Sequence, residues 1–324
     1  MRKDLIRNGF IAMMVIWTAA AAAAEVRPLD ATTMWQLKRL AAPRLSPDGA
    51  SAVVQVTTYD LEKNEPSSDL WLVTTDGSGT ARRLTTHPAA ESEPAFSPDG
   101  RHIAFVAKRD GDEQSQLYVL PTGGGEARRV TEWPTGVSAP RWLPDSKGVV
   151  FISRVWPDLD REAAAARMKE RAESKVSAKQ WDAAPARAWD RWLDDRQAHL
   201  FVVDLEGGEP RGVTLATGLE LPREEANRSS FDVSPDGREV AFVADTNRSG
   251  VDPNLDVWAV SLEGGAARNL SADNPAADTG PLYSPDGRFL GFARQTVKGF
   301  YGDTQRLVLH ERTSGSNRVV TAAS

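Results

Sequence analysis

The stretch SPDGRHIAFVAKRDGDEQSQLYVLPTGGGEARRVT, residues 97–131, contains the unit from which the rest of the chain is read. It opens on a tetrapeptide suited to a tight turn. Pro presets φ for the second position, Asp can accept from nearby backbone N–H groups, and Gly takes the positive-φ position. HIAFVAKR (102–109) follows and reads as a strand. LYVLPTGGGEARRVT (117–131) reads as a short strand, a Gly-rich turn and a second short strand ending in Thr, which is a β-hairpin signature. EPAF (93–96), just before the tetrapeptide, supplies a fourth short stretch.

The same unit recurs. SPDG stands at Ser46–Gly49, Ser97–Gly100, Ser234–Gly237 and Ser284–Gly287, with a decayed copy, LPDS, at Leu143–Ser146. Each is followed by its hairpin motif: LWLVTTDGSGTARRLT (70–85), LYVLPTGGGEARRVT (117–131), LFVVDLEGGEPRGVT (200–214), VWAVSLEGGAARNLS (257–271) and LVLHERTSGSNRVVT (307–321). Pro47 to Pro98 is 51 residues, Pro98 to Pro144 is 46 and Pro235 to Pro285 is 50. Four short antiparallel strands at that period describe a β-propeller blade. The fold class is therefore all-β, with five recognisable blades at about 42–85, 93–131, 139–214, 231–271 and 281–321. Asp48, Asp99, Asp236 and Asp286 invite a reading as catalytic acids or calcium ligands. A residue repeated in every blade cannot mark one active site, so the turn reading is preferred.

One interval breaks the rhythm. Pro144 to Pro235 is 91 residues but holds a single hairpin motif, so an insertion of roughly 157–196 is expected in the third blade. It contains Ala163–Ala166, nine Lys/Arg and nine Asp/Glu, a composition that favours one or two projecting helices. Trp181, Trp189 and Trp192 fall in it and Trp156 at its edge. These rings either wall a binding cavity or dock the insertion onto the blades, because exposed Trp is costly.

The chain has 324 residues, 40% hydrophobic and 26% charged, which is ordinary for a globular protein. Met1–Asn8 is basic through Arg2, Lys3 and Arg7, an apolar run GFIAMMVIWTAAAAAA (9–24) follows, and small residues precede Glu25. That is the pattern of a cleavable secretory signal over residues 1–24, an uncleaved anchor being the alternative. Residues 25–41 form a lead segment, in which 30–43 reads as a short helix capped by Asp30 or Thr32, and residues 42–324 hold the blades. Removing residues 1–24 changes the net charge from −6 to −8, so a nucleic-acid partner is not expected. Zero Cys excludes disulfides, thiol catalysis and thiolate metal sites, and suits an oxidising compartment. The expected location is the periplasm or the medium, with no membrane association after signal removal.

The common catalytic patterns are absent from the sequence. There is no G-x-S-x-G, no G-x-x-x-x-G-K-[ST] and no H-E-x-x-H. His87, His102, His199 and His310 are scattered over separate blades without ligand spacing and read as strand or loop residues rather than metal ligands. Gly123–Glu126 is a hairpin turn, because a strand follows it. Glu224–Glu225 is an acidic pair that could receive an amine, although a solvated loop is the stronger reading. No catalytic residue, metal ligand or cofactor is assigned, and the substrate-binding residues are unknown.

The order of SPDG, strand, DLWLV-type hairpin and GGEARRVT-type turn resembles the propeller of the prolyl oligopeptidase family of serine peptidases. It is most similar to bacterial dipeptidyl-peptidase and acylaminoacyl-peptidase types. TTYDLEKNEPSSDLWLV (57–73), PTGVSAPRWLPDSKGVVFISRVWPDLD (134–160) and ARAWDRWLDDRQAHLFVVDL (186–205) carry the resemblance. It implies a seven- or eight-bladed ring that limits access to short peptides, followed by an α/β-hydrolase domain holding a Ser-Asp-His triad. The sequence matches the early blades only, so no triad residue is transferred, and Glu224–Glu225 does not match the family's amine-binding motif. The expected function is the substrate-gating propeller of an exported serine exopeptidase, itself inactive, with short peptides as partners once joined to a hydrolase domain. Two alternatives remain: a periplasmic Tol-type propeller serving as an interaction scaffold, and a closed five-bladed glycoside-active enzyme with carboxylates converging on its axis.

Overall fold

The computed structural model describes residues 29–178, 180–181, 186–247 and 254–321. The export signal expected over residues 1–24 lies outside these, as do parts of the lead segment and of the insertion. The chain divides into two compact units, Met1–Leu37 and Lys38–Ser324. The first unit carries a six-residue helix, Ala31–Gln36, whose N-terminus is capped by Asp30 Oδ1 accepting from Thr33 N at 2.7 Å. The helix is shorter than the expected 30–43, because Arg39–Leu40 is already extended and pairs with Val56–Thr57.

Among the described residues the second unit holds five antiparallel sheets of four or five strands, besides a two-stranded ribbon. Each runs strand after strand in chain order. The first comprises Arg39–Leu40, Arg44–Leu45, Ser51–Asp60, Glu65–Thr74 and Arg82–Arg83, the two leading segments sharing one edge of Ser51–Asp60. The second comprises Glu91–Phe96, His102–Ala107, Gln116–Pro121 and Arg128–Arg129. The third is Ser138–Trp142, Gly148–Val155, Gln197–Asp204 and Arg211–Gly212. The fourth is Phe231–Val233, Glu239–Asp245, Leu255–Ser261 and Arg268–Asn269. The fifth is Asp278–Tyr283, Phe289–Arg294, Arg306–Glu311 and Asn317–Val319. These are the units expected from the repeat, with boundaries shifted by a few residues.

The repeated residues make the repeated bonds. In every SPDG the Ser Oγ donates to the Asp carboxylate at 2.5–2.6 Å, and that carboxylate accepts the backbone N–H two residues on at 3.0–3.1 Å. Gly49, Gly100, Gly237 and Gly287 all have φ between 66° and 71°, and in the decayed copy Ser146 adopts φ 62°. The Asp residues are therefore turn devices. The Thr or Ser that closes each hairpin has a matching role. Thr85, Thr131, Thr214, Ser271 and Thr321 each accept, through Oγ, a backbone N–H of the sheet's preceding strand, that of Leu70, Leu117, Leu200, Val257 and Leu307 in turn, at 2.9–3.0 Å.

Four apolar cores join the sheets pairwise. Val53 and Leu70 of the first sheet pack with Ile103, Phe105 and Leu120 of the second. Val106 and Val119 pack with Trp142, Phe151 and Phe201 of the third. Ile152 and Leu200 meet Phe231 and Phe242 of the fourth. Ala241 and Val257 meet Leu290, Phe292 and Val308 of the fifth. Strands 102–107, 148–155 and 239–245 are consequently buried on both faces, whereas Phe289–Arg294 alternates. Among the described residues no such core joins the fifth sheet to the first.

The third-sheet insertion differs partly from expectation. One helix, Arg161–Glu173, follows Trp156, capped by Asp160 Oδ1 accepting from Ala163 N at 2.8 Å. The second half is not helical where described: Arg187–Ala188 and Arg191–Trp192 form a two-stranded ribbon. The Trp156 ring lies under Arg167 and Arg171, each 4.7 Å from its centroid, and Asp195 binds both guanidinium groups. The Trp181 ring packs tilted against Trp192, centroids 5.1 Å apart, and Trp181 Nε1 donates to Leu193 O at 2.9 Å. Docking thus accounts for Trp156, Trp181 packs within the insertion itself, and Trp189, at the ribbon tip, is 92% exposed with φ 48°.

Candidate functional site on the first strands

The first strand of each sheet is where charge collects. The residue two positions before each SPDG or LPDS is Arg44, Ala95, Arg141, Asp232 and Leu282 in turn. All five occupy one structural position, since their partners on the second strands are Val53, Ala104, Val150, Ala241 and Gly291. The strands themselves are broken. Glu93, Ala139 and Gly280 adopt φ of 54°, 52° and 66°, and the register shifts beside each. In the fourth sheet a short turn, Arg228–Ser230, takes the place of the bulge. Such bulges re-aim side chains.

The re-aimed groups meet across sheet boundaries. Glu93 Oε2 accepts from Ala139 N at 2.6 Å, tying the second sheet to the third. Arg141 Nη1 donates to Asp232 Oδ1 at 2.5 Å and its Nη2 to Arg228 O at 3.0 Å, while Arg228 Nη1 donates to Pro140 O at 2.8 Å. Asp232 Oδ2 accepts from Tyr283 N at 2.7 Å, reaching the fifth sheet. Burial holds Arg141 below the usual arginine range, against the pull of Asp232. Burial and the charges of Arg141 and Arg44 push Arg228 down to about 10. Burial raises Asp232. Arg44, Arg141, Arg228, Glu93 and Asp232 therefore form one electrostatic group. The sequence carried its signal, a charged residue at a fixed offset from the tetrapeptide, but the repeat drew attention to what is constant rather than to what varies.

The other sequence candidates do not assemble. His87 Nδ1 accepts from Ala89 N at 3.0 Å, His102 stacks on Trp142, His199 bonds Thr214 and His310 bonds Asn317. Among the described residues no three His, Asp or Glu side chains come together as a metal site. Glu224 and Glu225 are exposed, and Arg191 donates to the Glu224 carbonyl rather than to either carboxylate. A cleft of about 340 Å³ between the fourth and fifth sheets is lined by Asp236, Glu239, Arg268 and Arg312. Its charges neutralise one another at 2.8–3.3 Å, so it reads as a joint between sheets. At the shared first-strand position one carboxylate stands among two arginines, an alanine and a leucine, which is not the convergence of acids a glycoside-active funnel needs.

Sheets of this strand order, joined face to face through successive cores, define a β-propeller, and the family described as "Tricorn protease N-terminal beta propeller domain" matches residues 66–184. Among curated proteins the chain is similar to dipeptidyl-peptidase 5 of Porphyromonas gingivalis, with 27% identity over 299 residues, covering 86% of this chain and 40% of that protein. Among solved structures it resembles the acylaminoacyl peptidase of Pyrococcus horikoshii, with a TM-score of 0.61 at 17% identity, covering 86% of this chain and 39% of that one. A putative TolB from Agrobacterium tumefaciens gives a TM-score of 0.51 at 20% identity, covering 88% of this chain and 80% of that one. The structural likenesses establish the fold. The chain spans about 40% of the length of the curated relatives it matches, and the matched part is their propeller portion.

Proposed function

We propose that this chain is the substrate-gating propeller of an exported serine exopeptidase of the prolyl oligopeptidase type, whose nucleophile, base and oxyanion hole lie in a separate hydrolase domain. The observation that carries this reading is the similarity to a dipeptidyl-peptidase along nearly the whole chain, confined to two-fifths of that enzyme. A feature of the fifth sheet supports it. In three earlier sheets an arginine of the last strand staples the next sheet: Arg82 donates to Thr122 O, Arg128 to Leu205 O and Arg211 to Leu262 O, at 2.7–2.9 Å. Arg318 holds the same register position, opposite Leu309, and makes no such bond among the described residues. Leu282 and Leu307 of the same sheet are 61% and 44% exposed. A further sheet of the same kind would use both features.

The test has two arms. The purified 324-residue chain is expected to leave a chromogenic dipeptide substrate intact, and the coding sequence that continues from it is expected to contain G-x-S-x-G. Turnover by the chain alone would overturn the placing of the catalytic groups in a separate domain, and an uninterrupted reading with no hydrolase segment would turn the assignment toward the Tol-type scaffold. Export is part of the proposal and rests on the basic-then-apolar start, residues 1–24. N-terminal sequencing of the secreted or periplasmic product is expected to begin at Glu25.

A further inference from the structure

The charged group on the first strands is not balanced. Arg44, Arg141 and Arg228 bring three guanidinium groups, and Glu93 and Asp232 bring two carboxylates. Asp232 is fully engaged by Arg141 and by the Tyr283 N–H. Glu93 Oε2 is taken by the Ala139 N–H. Arg44 is half-buried, makes no hydrogen bond or ion pair among the described residues, and holds in the first sheet the first-strand position that Arg141 holds in the third, and its positive charge adds to the burial that lowers Arg141 and Arg228. The Nε–H of Arg141 is buried with no acceptor. Two guanidinium groups that burial penalises, a third like charge without a partner among the described residues, and one buried donor unanswered cost free energy that an incoming anion recovers.

We propose that Arg44, Arg141 and Arg228 form an anion site on the first strands of the first, third and fourth sheets, and that its ligand is a carboxylate. One surplus positive charge suits a monoanion. The surrounding chain carries 45 acidic against 39 basic residues, which repels a polyanion such as nucleic acid. The planar guanidinium fork matches a carboxylate with two parallel hydrogen bonds. The identification of that carboxylate as part of a peptide rests on the gating reading above. The anion site itself does not. The site would select peptides by a negative group, either the chain's C-terminal carboxylate or an acidic side chain.

Three probes separate the possibilities: N-acetyl-trialanine as the free acid, its C-terminal amide, and the amide with Asp at the middle residue. Calorimetric titration of the intact chain is expected to show the free acid binding at least tenfold more tightly than the trialanine amide. Arg44→Gln is expected to weaken the free acid at least tenfold and to leave the amide unchanged. Because Arg44 makes no structural bond, the variant is expected to fold, and an unaltered melting temperature without ligand checks this. Binding of the Asp-containing amide at the level of the free acid identifies an acidic side chain as the source. Its failure identifies the C-terminus. Equal binding of free acid and trialanine amide overturns the carboxylate site and leaves the gating reading intact. If no peptide binds, sodium acetate decides: an acetate-dependent rise in melting temperature that Arg44→Gln abolishes upholds the site and removes the peptide reading. No rise overturns the site.

Discussion

Thr131 shows how a single hydroxyl is written into a repeat. Its Oγ accepts from Leu117 N at 3.0 Å and also donates to Gln116 Oε1 at 2.8 Å, all within the buried joint of the second sheet. Thr131→Val keeps the shape and removes the acceptor, so a buried N–H is stranded. The expected loss is about 1–3 kcal/mol in urea denaturation, with Thr131→Ser restoring most of it. A second residue gives a pH signature. Burial pushes the Asp278 carboxyl up to about 6, only partly offset by Arg294 Nε at 2.8 Å and Asn274 at 3.0 Å. Arg294 stays well charged despite burial, because Asp273 binds it as well. A carboxyl that holds its proton more tightly folded than unfolded stabilises most at low pH, and its contribution declines as pH rises from about 4 to about 6. Asp278→Asn is therefore expected to gain about 1–3 kcal/mol on the wild type between pH 4 and pH 7, and parallel stability profiles for the two proteins would refute this. The Ser, Pro, Asp, Gly and closing Thr were legible because each makes a local bond that recurs. Arg141 and Asp232 were not, because their partners are 91 residues apart and belong to different repeats.

At the scale of elements, the staples and the ribbon make opposite forecasts. Arg128 reaches Leu205 O in the next sheet at 2.7 Å, so Arg128→Ala is expected to cost about 0.5–1.5 kcal/mol. Arg318→Ala, at the same position of the fifth sheet, is expected to leave the chemical denaturation midpoint unchanged. The ribbon tip places a non-glycine residue at φ 48° with its ring almost wholly in water. Trp189→Gly is therefore expected to raise stability by about 1 kcal/mol even though it deletes a large apolar side chain, since left-handed backbone favours Gly and the ring buries almost nothing. A fall in melting temperature would mean the ring is docked in solution. The helix at 161–173 was readable from its alanines and its charged composition. The ribbon was not, because two-residue strands have no periodicity to detect, and Arg187–Ala188 and Arg191–Trp192 owe their pairing to the turn between them.

For the whole molecule, the repeat fixed the fold because 50-residue spacing, turn chemistry and hairpin pattern all agreed. The site was less legible, because it is made of the positions at which the repeats differ. The four cores give the array a further property. Each links one sheet to the next in chain order, so among the described residues the third sheet is clamped by neighbours on both sides, whereas the first and fifth each have one. Protection is then graded along the chain rather than uniform. Amides of Phe151 and Phe201 should outlast those of Val54 and Val308 in deuterium. The purified chain would melt as a row of books does when the bookends are lifted, leaning from the outside inward.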